Sequence, residues 1–333
     1  LSFTRPIVIV LLLAALAFLA LRRLPGDSPQ KVSRTRILMG TVVEITALGD
    51  DADRLQAAVT SAFEEMERID RLMRPDGDGS DVFRISQAPQ SAEVSEETAK
   101  VIALGLKVAR ASDGAFDMGL GRLKTLWGIE SDHPRVPTPD EIRRALIGTG
   151  LGDLHLTGRR VFKDNPTLAV DLGGIAKGYA IDRAIEILRQ AGVKNASVNA
   201  GGDIRLIGDH QGRPWHIGIQ HPRDTQKVLA TLSLRGTSVV TSGDYERFFI
   251  KDGVRYHHLF APKTGYPASL CMSATVVAPS ATLADALATA AFILGPQKGI
   301  SLLERFPGVE GLLVGADGKP VLTPGLKDKV TWP

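Results

Sequence analysis

Apolar positions along this chain follow two rhythms. Over residues 53–73, Leu55, Val59, Ala62, Phe63 and Met66 recur every three or four residues, the spacing of a helix that buries one face. Ser95 opens a second helix that runs to about residue 112 and is stopped by Asp113-Gly114. Thr138-Pro139 opens a third, with proline in its first turn and Glu141 placed to complete a capping box with Thr138. Residues 34–48 instead alternate as a strand, with Met39-Gly40-Thr41 inside it. Beyond Gly148 strands dominate. Residues 154–162 read as a hairpin turning at Gly158-Arg159, and 195–207 as a strand broken by Ala200-Gly201-Gly202-Asp203. Residues 215–220 and 228–234 alternate as half-buried strands, and 248–260 form a hairpin about Asp252-Gly253. A strand at 273–277, a helix at 282–294 closed by Gly295-Pro296, and a hairpin about Asp317-Gly318 complete the chain. Hairpins and separate helices outnumber any βαβ rhythm. The expected class is α+β, with antiparallel or mixed sheets and flanking helices.

One stretch departs from this alternation. In VDLGGIAKGYAIDRA (170–184) an apolar run meets Asp171, then Gly173-Gly174, then a helix burying Ile181, Ala184, Ile185 and Leu188. Two glycines where a helix start exposes its N–H groups, with Lys177 just inside, describe a seat for an anionic ligand. A tight strand-to-helix turn with a solvated lysine explains the same residues.

Composition narrows the function classes. The 333 residues are 44% hydrophobic with a formal charge of +3, and the basic residues are dispersed. Nucleic acid is not expected as a partner, because phosphate-backbone binding needs a concentrated basic face. The single cysteine, Cys271, permits neither an internal disulfide nor a cysteine-built metal site. Residues 7–21 form an unbroken apolar run between Arg5 and Arg22-Arg23, the length of a signal-peptide core and short for a spanning helix. Residues 1–33 are therefore assigned to a signal peptide or membrane anchor plus linker, and 34–333 to the working domain. No cysteine follows the run, so a lipid anchor there is not expected.

Familiar nucleotide and hydrolase signatures are absent: no GxGxxG opening a βαβ unit, no GxxxxGK[ST] loop, no GxSxG elbow, no HExxH helix. Three features remain open to chemistry. Asp285 and Thr289, in LADALATAA, lie one helical turn apart and offer a carboxylate and a hydroxyl on one face, oxygen donors suited to Mg²⁺ or Ca²⁺. Thr282-x-x-Asp285 read as a capping box, with Thr289 bonded back to a carbonyl, is the account the helix alone favours. His257-His258 lies on a strand, so the rings face opposite sides and one is expected at the surface. The other is a general-base candidate or a structural ring. Asp244-Tyr245-Glu246-Arg247 follows an apolar strand as a dense polar group or a solvated turn.

Eight stretches in order resemble one family: MGTVVEI (39–45), GAFDMGLGRLKTLWG (114–128), DLGGIAKGYAIDRA (171–184), NAGGDI (199–204), GIQHPR (218–223), TSGDYERFF (241–249), HHLFAPKTGYP (257–267) and ADALATA (284–290). Together they resemble the FAD:protein FMN transferases of the ApbE family, exported flavin transferases. The resemblance implies a T-fold-related architecture with FAD in a cleft between lobes. It implies that FMN is joined through its phosphate to a serine or threonine of an acceptor protein, with release of AMP. By the same resemblance Asp285, Thr289 and the carbonyl of Gly174 are the Mg²⁺ ligands. Met39, Ala115, Phe116, Asp117, Asp171, Lys177 and Leu259 contact FAD, and His258 deprotonates the acceptor hydroxyl. The expected acceptor is a membrane-associated redox protein, and the expected location periplasmic, with the 7–21 run either cleaved or kept as an inner-membrane tether. The chain departs from the family pattern at Met73-Arg74-Pro75-Asp76, where no flavin-stacking aromatic is found, at Ala261-Pro262, and at Gly119. An FAD pyrophosphatase using water as acceptor, and a flavin-binding protein without catalysis, are the alternatives.

Overall fold

The computed structural model describes residues 30–150 and 152–333; the apolar run at 7–21 lies outside the described residues. The chain opens on strand β1 (Gln30–Leu38), which takes in the last residues of the assigned linker, and returns as β2 (Thr41–Gly49). Helix α1 (Ala52–Met73) follows, capped by the Asp51 side chain. Then come α2 (Asp81–Gln87), β3 (Ser91–Glu93), α3 (Glu96–Ala111) capped by Ser95, and α4 (Gly121–Trp127). Helix α5 (Pro139–Leu146) carries the expected Thr138–Glu141 capping box. The hairpin β4 (Leu154–Thr157) and β5 (Arg160–Lys163) leads into α6 (Ala176–Gln190). The strand-rich half contains β6 (Asn195–Ala200), β7 (Asp203–Ile207), β8 (Trp215–His221), β9 (Asp224–Leu234), β10 (Ser238–Gly243), β11 (Phe248–Lys251) and β12 (Val254–His257). It closes with β13 (Cys271–Ala278), α7 (Ala281–Leu294), α8 (Pro296–Leu303), β14 (Glu310–Gly315), β15 (Pro320–Leu322) and β16 (Val330–Thr331).

Eight strands form one sheet in the order β1-β2-β6-β7-β10-β13-β14-β15, with neighbours antiparallel. The α+β expectation holds. Alternation along each strand sends one set of side chains to each face. Ala274, Val276 and Leu313 face a core shared with α1, α6 and α7, while Val277, Leu312 and Val314 face a second core under β8 and β9. A third cluster gathers Leu123 and Trp127 of α4, Ile142 of α5 and Phe260. Trp127 Nε1–H donates to the Gly265 carbonyl at 2.9 Å, and its ring lies 5.5 Å from that of Tyr256 in β12, which places α4 beside the β11–β12 hairpin.

Several elements differ from the sequence reading. Residues 34–48 form a hairpin rather than one strand: Leu38 pairs with Thr41, and Met39 and Gly40 have φ of +53° and +68°. Such a two-residue turn normally announces itself as Asn-Gly or Asp-Gly, and Met-Gly carries no such signal. Residues 195–207 are likewise two paired strands. Gly295-Pro296 both closes α7 and opens α8, because proline also suits a first helical position. The Thr282–Asp285 capping box does not form. Ser280 caps α7, and Thr282 instead donates its hydroxyl to Asp182 of α6 at 2.6 Å.

Helices α6 and α7 exchange carboxylates. Asp182 accepts the N–H groups of Ala281 and Thr282, each at 2.9 Å, and Asp285 accepts the Gly178 N–H at 2.9 Å. Each helix thus satisfies orphan donors at the start of the other. The close approach depends on Gly178, where a Cβ would lie 2.3 Å from the Ala281 carbonyl oxygen and 2.9 Å from Asp285 Cβ. Gly178→Ala is expected to destabilise the fold by about 2 kcal/mol or more, as overpacking against backbone does. Gly79→Ala, which meets nothing within 4 Å, should be near neutral. Thermal unfolding of both variants checks the contrast.

Candidate active site

A cleft of about 510 Å³ opens where the β1–β2 turn, the end of α1, the 115–124 segment, the 171–177 loop, the end of β10 and one face of α7 converge. Every residue given a ligand-binding, metal or catalytic role by the family resemblance lines it: Met39, Ala115, Phe116, Asp117, Asp171, Gly174, Lys177, His258, Leu259, Asp285 and Thr289; His257, Asp244 and Tyr245 do not. Residues up to 250 positions apart in the chain are therefore brought to one place by the sheet order and by the α6–α7 contact.

Asp285 is buried, with one oxygen on the Gly178 N–H. Burial, together with the charge of Asp203, pushes its pKa up to about 7 against the opposing pull of Lys177 and the Gly178 hydrogen bond. Its negative charge is thus under-compensated. Thr289 Oγ1 lies 3.4 Å from Ser242 Oγ, and a Cβ added to Gly174 would stand 3.2 Å from it, so hydroxyl and glycine backbone adjoin. One carboxylate, one hydroxyl and an adjacent main chain fit a hard cation that completes its shell with water or substrate phosphate. Among the described residues no group of three or more His, Cys, Asp or Glu side chains gathers as a protein-only metal cage.

The start of α6 is already partly filled. The Ala176 N–H bonds to the Leu172 carbonyl at 2.8 Å and the Gly178 N–H to Asp285, so the first anion at this helix start is the protein's own. Lys177 is not a solvated lysine, since its Nζ lies 2.6 Å from Asp203 Oδ2. Burial opposes its charge, but Asp203 and Asp285 outweigh that and raise its pKa. Asp171 is held by Lys124 Nζ at 2.9 and 3.0 Å and by the Gly173 N–H at 2.9 Å. Arg247 pairs with Glu130 at 2.7 Å. Asp117 accepts the Gly119 N–H at 2.7 Å through Oδ1, while Oδ2 is buried without a partner, and burial raises its pKa. Seven carboxylates line the cleft against four Lys or Arg side chains.

The two histidines adopt opposite tautomers, and neither stands at the surface. His257 is 4% exposed; its Nδ1 accepts the Leu259 N–H, so Nε2–H donates to the Ala268 carbonyl at 2.8 Å. His258 is half-buried in the cleft wall, with Nδ1 3.3 Å from the Arg247 carbonyl oxygen. A carbonyl only accepts, so Nδ1 carries the proton and Nε2 keeps its lone pair. Burial lowers the pKa of His258 to about 4, with Lys124 and Arg247 reinforcing the shift against Glu130.

Lys124, Glu130, Asp203 and Ser242 were not singled out, and Glu246 and Arg247 were noted only within a dense polar group with no role, although all six line the cleft. All but Glu130 fall inside motifs already noted (GRLKTLWG, NAGGDI, TSGDYERFF), where their density of charge beside glycines was the available signal. Glu130 lies past its motif and carried none.

An antiparallel α+β scaffold thus carries a cleft that combines an oxygen-donor corner with carboxylate-paired cations. Residues 39–313 match the ApbE family, so the chain belongs to it, and with it to the transferases. It is 34% identical to the FAD:protein FMN transferase of Treponema pallidum over 90% of this chain and 89% of that one. The Escherichia coli K12 protein of the same name is 32% identical over 94% and 92%. Among solved structures, the ApbE protein of Thermotoga maritima superposes with a TM-score of 0.82 at 37% identity, covering 90% of this chain and 99% of that one. The flavin transferase ApbE of Vibrio cholerae gives 0.80 at 30%, covering 91% and 100%.

His258 generates a pH prediction. Its folded pKa lies below the unfolded value of 6.5, so the unfolded chain takes up the proton first as pH falls. Its contribution to stability is full above pH 6.5 and is lost between 6.5 and about 4. An NMR titration assigned with His258→Gln should place the imidazole's midpoint near pH 4, with the ring neutral throughout pH 6–8.

Proposed function

We propose that this chain is an FAD:protein FMN transferase that uses Mg²⁺ and joins FMN through its phosphate to a serine or threonine of an acceptor protein. The observation that carries the reading is His258, with its Nδ1 on the Arg247 carbonyl, in the same cleft as the buried Asp285 and its helix neighbour Thr289. In the reaction the acceptor oxygen bonds to the FMN-side phosphorus, the bond from that phosphorus to the AMP oxygen breaks, and AMP leaves. His258 Nε2 takes the hydroxyl proton as the P–O bond forms. Asp285, Thr289 and the Gly174 carbonyl would hold the cation. Bound there, it would polarise the pyrophosphate and neutralise charge on the leaving oxygen.

The rest of the cleft supports positioning, which supplies most of the catalysis in phosphoryl transfer. Lys124 and Lys177 place fixed positive charge in the cleft without depending on solvent-exposed rotamers, since each is tied to a carboxylate. The unpartnered Asp117 Oδ2 supports a hydrogen bond from the ligand at that point. An excess of carboxylates over cations repels a free dinucleotide, which supports a requirement for a divalent cation in binding as well as in turnover. The 7–21 run supports an exported location, and hence a membrane-associated redox protein as acceptor.

The test is mass spectrometry of a flavin-acceptor domain incubated with the protein, FAD and Mg²⁺. The expected result is a mass gain of one FMN moiety, abolished by a chelator; AMP release without labelling would indicate hydrolysis instead. Asp285→Asn retains an oxygen for the Gly178 N–H and should leave thermal unfolding nearly unchanged. Loss of its charge should slow labelling by roughly 100-fold or more, the scale of removing a preorganised electrostatic group. His258→Gln should lower labelling by about 100-fold, the usual contribution of a general base, while FAD still binds.

A further inference from the structure

His257 is a buried titratable group that the proposed chemistry leaves unused. Strand alternation sends it to the side opposite His258, so one ring lines the cleft and its neighbour stands behind the wall. There it packs edge-on with Phe292 of α7, ring centroids 5.5 Å apart, three residues past Thr289.

Both ring nitrogens are engaged, and by one short hairpin. Beyond His258 the chain runs out through Leu259, Phe260 and Ala261 and returns through Tyr266, Pro267 and Ala268. Ala261 N–H donates to the Tyr266 carbonyl at 2.8 Å, Ala268 N–H donates to the Leu259 carbonyl at 2.9 Å, and Phe260 bridges Pro267. In antiparallel register Leu259 and Ala268 would exchange a second bond, from the Leu259 N–H to the Ala268 carbonyl. The His257 imidazole takes the place of that bond. Its Nδ1 accepts the Leu259 N–H at 3.2 Å, and its Nε2–H donates to the Ala268 carbonyl at 2.8 Å. The ring is a wedge that keeps this end of the hairpin open.

Only a neutral ring with its proton on Nε2 makes both bonds. Burial keeps it neutral, lowering its pKa against the Ala268 bond and Asp244, with Arg255 and Arg223 adding to the shift. On the other side of His258, the Arg247 carbonyl takes both the His258 N–H at 3.2 Å and its Nδ1 proton at 3.3 Å. Both distances are long for such bonds, so the backbone that follows decides whether one carbonyl can serve the two. That backbone is what His257 clamps. Without the wedge, Leu259 N–H is free to close on Ala268 directly, which draws residue 259 toward the hairpin and turns His258 away from Arg247.

We propose that His257 is a positioning residue for His258. Its imidazole, set between the Leu259 N–H and the Ala268 carbonyl, keeps His258 Nδ1 on the Arg247 carbonyl and leaves Nε2 free. The inference rests on the reading of His258 as general base.

Steady-state labelling of an acceptor domain and nitrogen NMR of the imidazoles test it in wild type, His257→Leu and His257→Asn, each below its unfolding transition. Asn keeps an oxygen for the Leu259 N–H but leaves a gap beside Phe292; Leu fills the space and offers no acceptor. In His257→Leu kcat should fall about tenfold or more, the scale of a slightly misplaced reacting group. In His257→Asn it should stay within about threefold, and KM for FAD within about twofold in both. A packing role gives the reverse order of the two variants and overturns the proposal, as does a loss carried by KM. The His258 nitrogen shifts should report an Nδ1 proton in wild type and His257→Asn, and a mixture of tautomers in His257→Leu. An unchanged pattern in His257→Leu overturns the proposal. Should His257→Leu not fold, His257→Gln, which reaches Ala268 but not Leu259, replaces it with the same expectation. If wild type labels no acceptor, the functional reading falls, while the NMR comparison still decides whether His257 sets His258.

Discussion

The exchange of carboxylates between α6 and α7 is the constraint on which the site depends. Asp182 and Asp285 each cross to satisfy the first N–H groups of the other helix, and Gly178 lets the backbones approach closely enough for both bonds to form. Helix starts are positive, so each aspartate is stabilised where it sits. The two are not equivalent. Asp182 is also paired with Arg205 at 3.0 Å, whereas Asp285 is fully enclosed beside Asp203 and remains under-compensated. The arrangement that locks the helices thus leaves one carboxylate with an unmet electrostatic need, and that carboxylate faces the cleft. In the proposed function, fold stability and cation affinity are drawn from the same side chain.

This explains why the cleft is acidic although its proposed substrate is an anion. A pocket of free lysines would bind a dinucleotide tightly in its ground state and give little to the transition state. Here the cations are restrained by Asp171, Asp203 and Glu130, so they do not collapse onto the first phosphate that enters. Their charges are preorganised, and no reorganisation is required when negative charge develops on a leaving oxygen. His258 belongs to the same scheme. Lys124 and Arg247 help burial to keep its imidazole neutral, and the Arg247 carbonyl selects the tautomer that leaves Nε2 free.

Much of this was legible in the chain. The helices showed in the spacing of Leu55 to Met66 and in Ser95 and Thr138 as caps, and three hairpins, β4–β5, β11–β12 and β14–β15, in their Asp-Gly or Gly-Arg turns. The candidate residues were also legible, because glycines, aspartates and a lysine crowd into a few motifs. Local pattern did not contain the pairings. Lys124 and Asp171 are 47 residues apart, and nothing in either segment names the other. The short helices α2 and α4, two turns each, are below the length at which periodicity separates from chance. The Met39-Gly40 turn was hidden for a different reason, since a methionine at φ +53° is an unfavourable choice for that position.

That unfavourable choice is itself informative. A non-glycine residue in the left-handed region costs roughly 1 kcal/mol or more and persists where surrounding structure imposes it. Asparagine or glycine would make the turn more easily, but neither would place a long thioether in the cleft. The 170–184 stretch carries the same kind of information. Read alone, its glycines and lysine describe a helix start awaiting an anion. In the folded chain Asp285 has taken that place, so the helix start serves the ligand indirectly, by fixing the carboxylate that a cation needs. In the proposed function, phosphate groups entering the cleft would meet the Asp285–Thr289 corner and the restrained lysines rather than the open end of a helix, which accounts for a glycine pair without a nucleotide-loop signature around it.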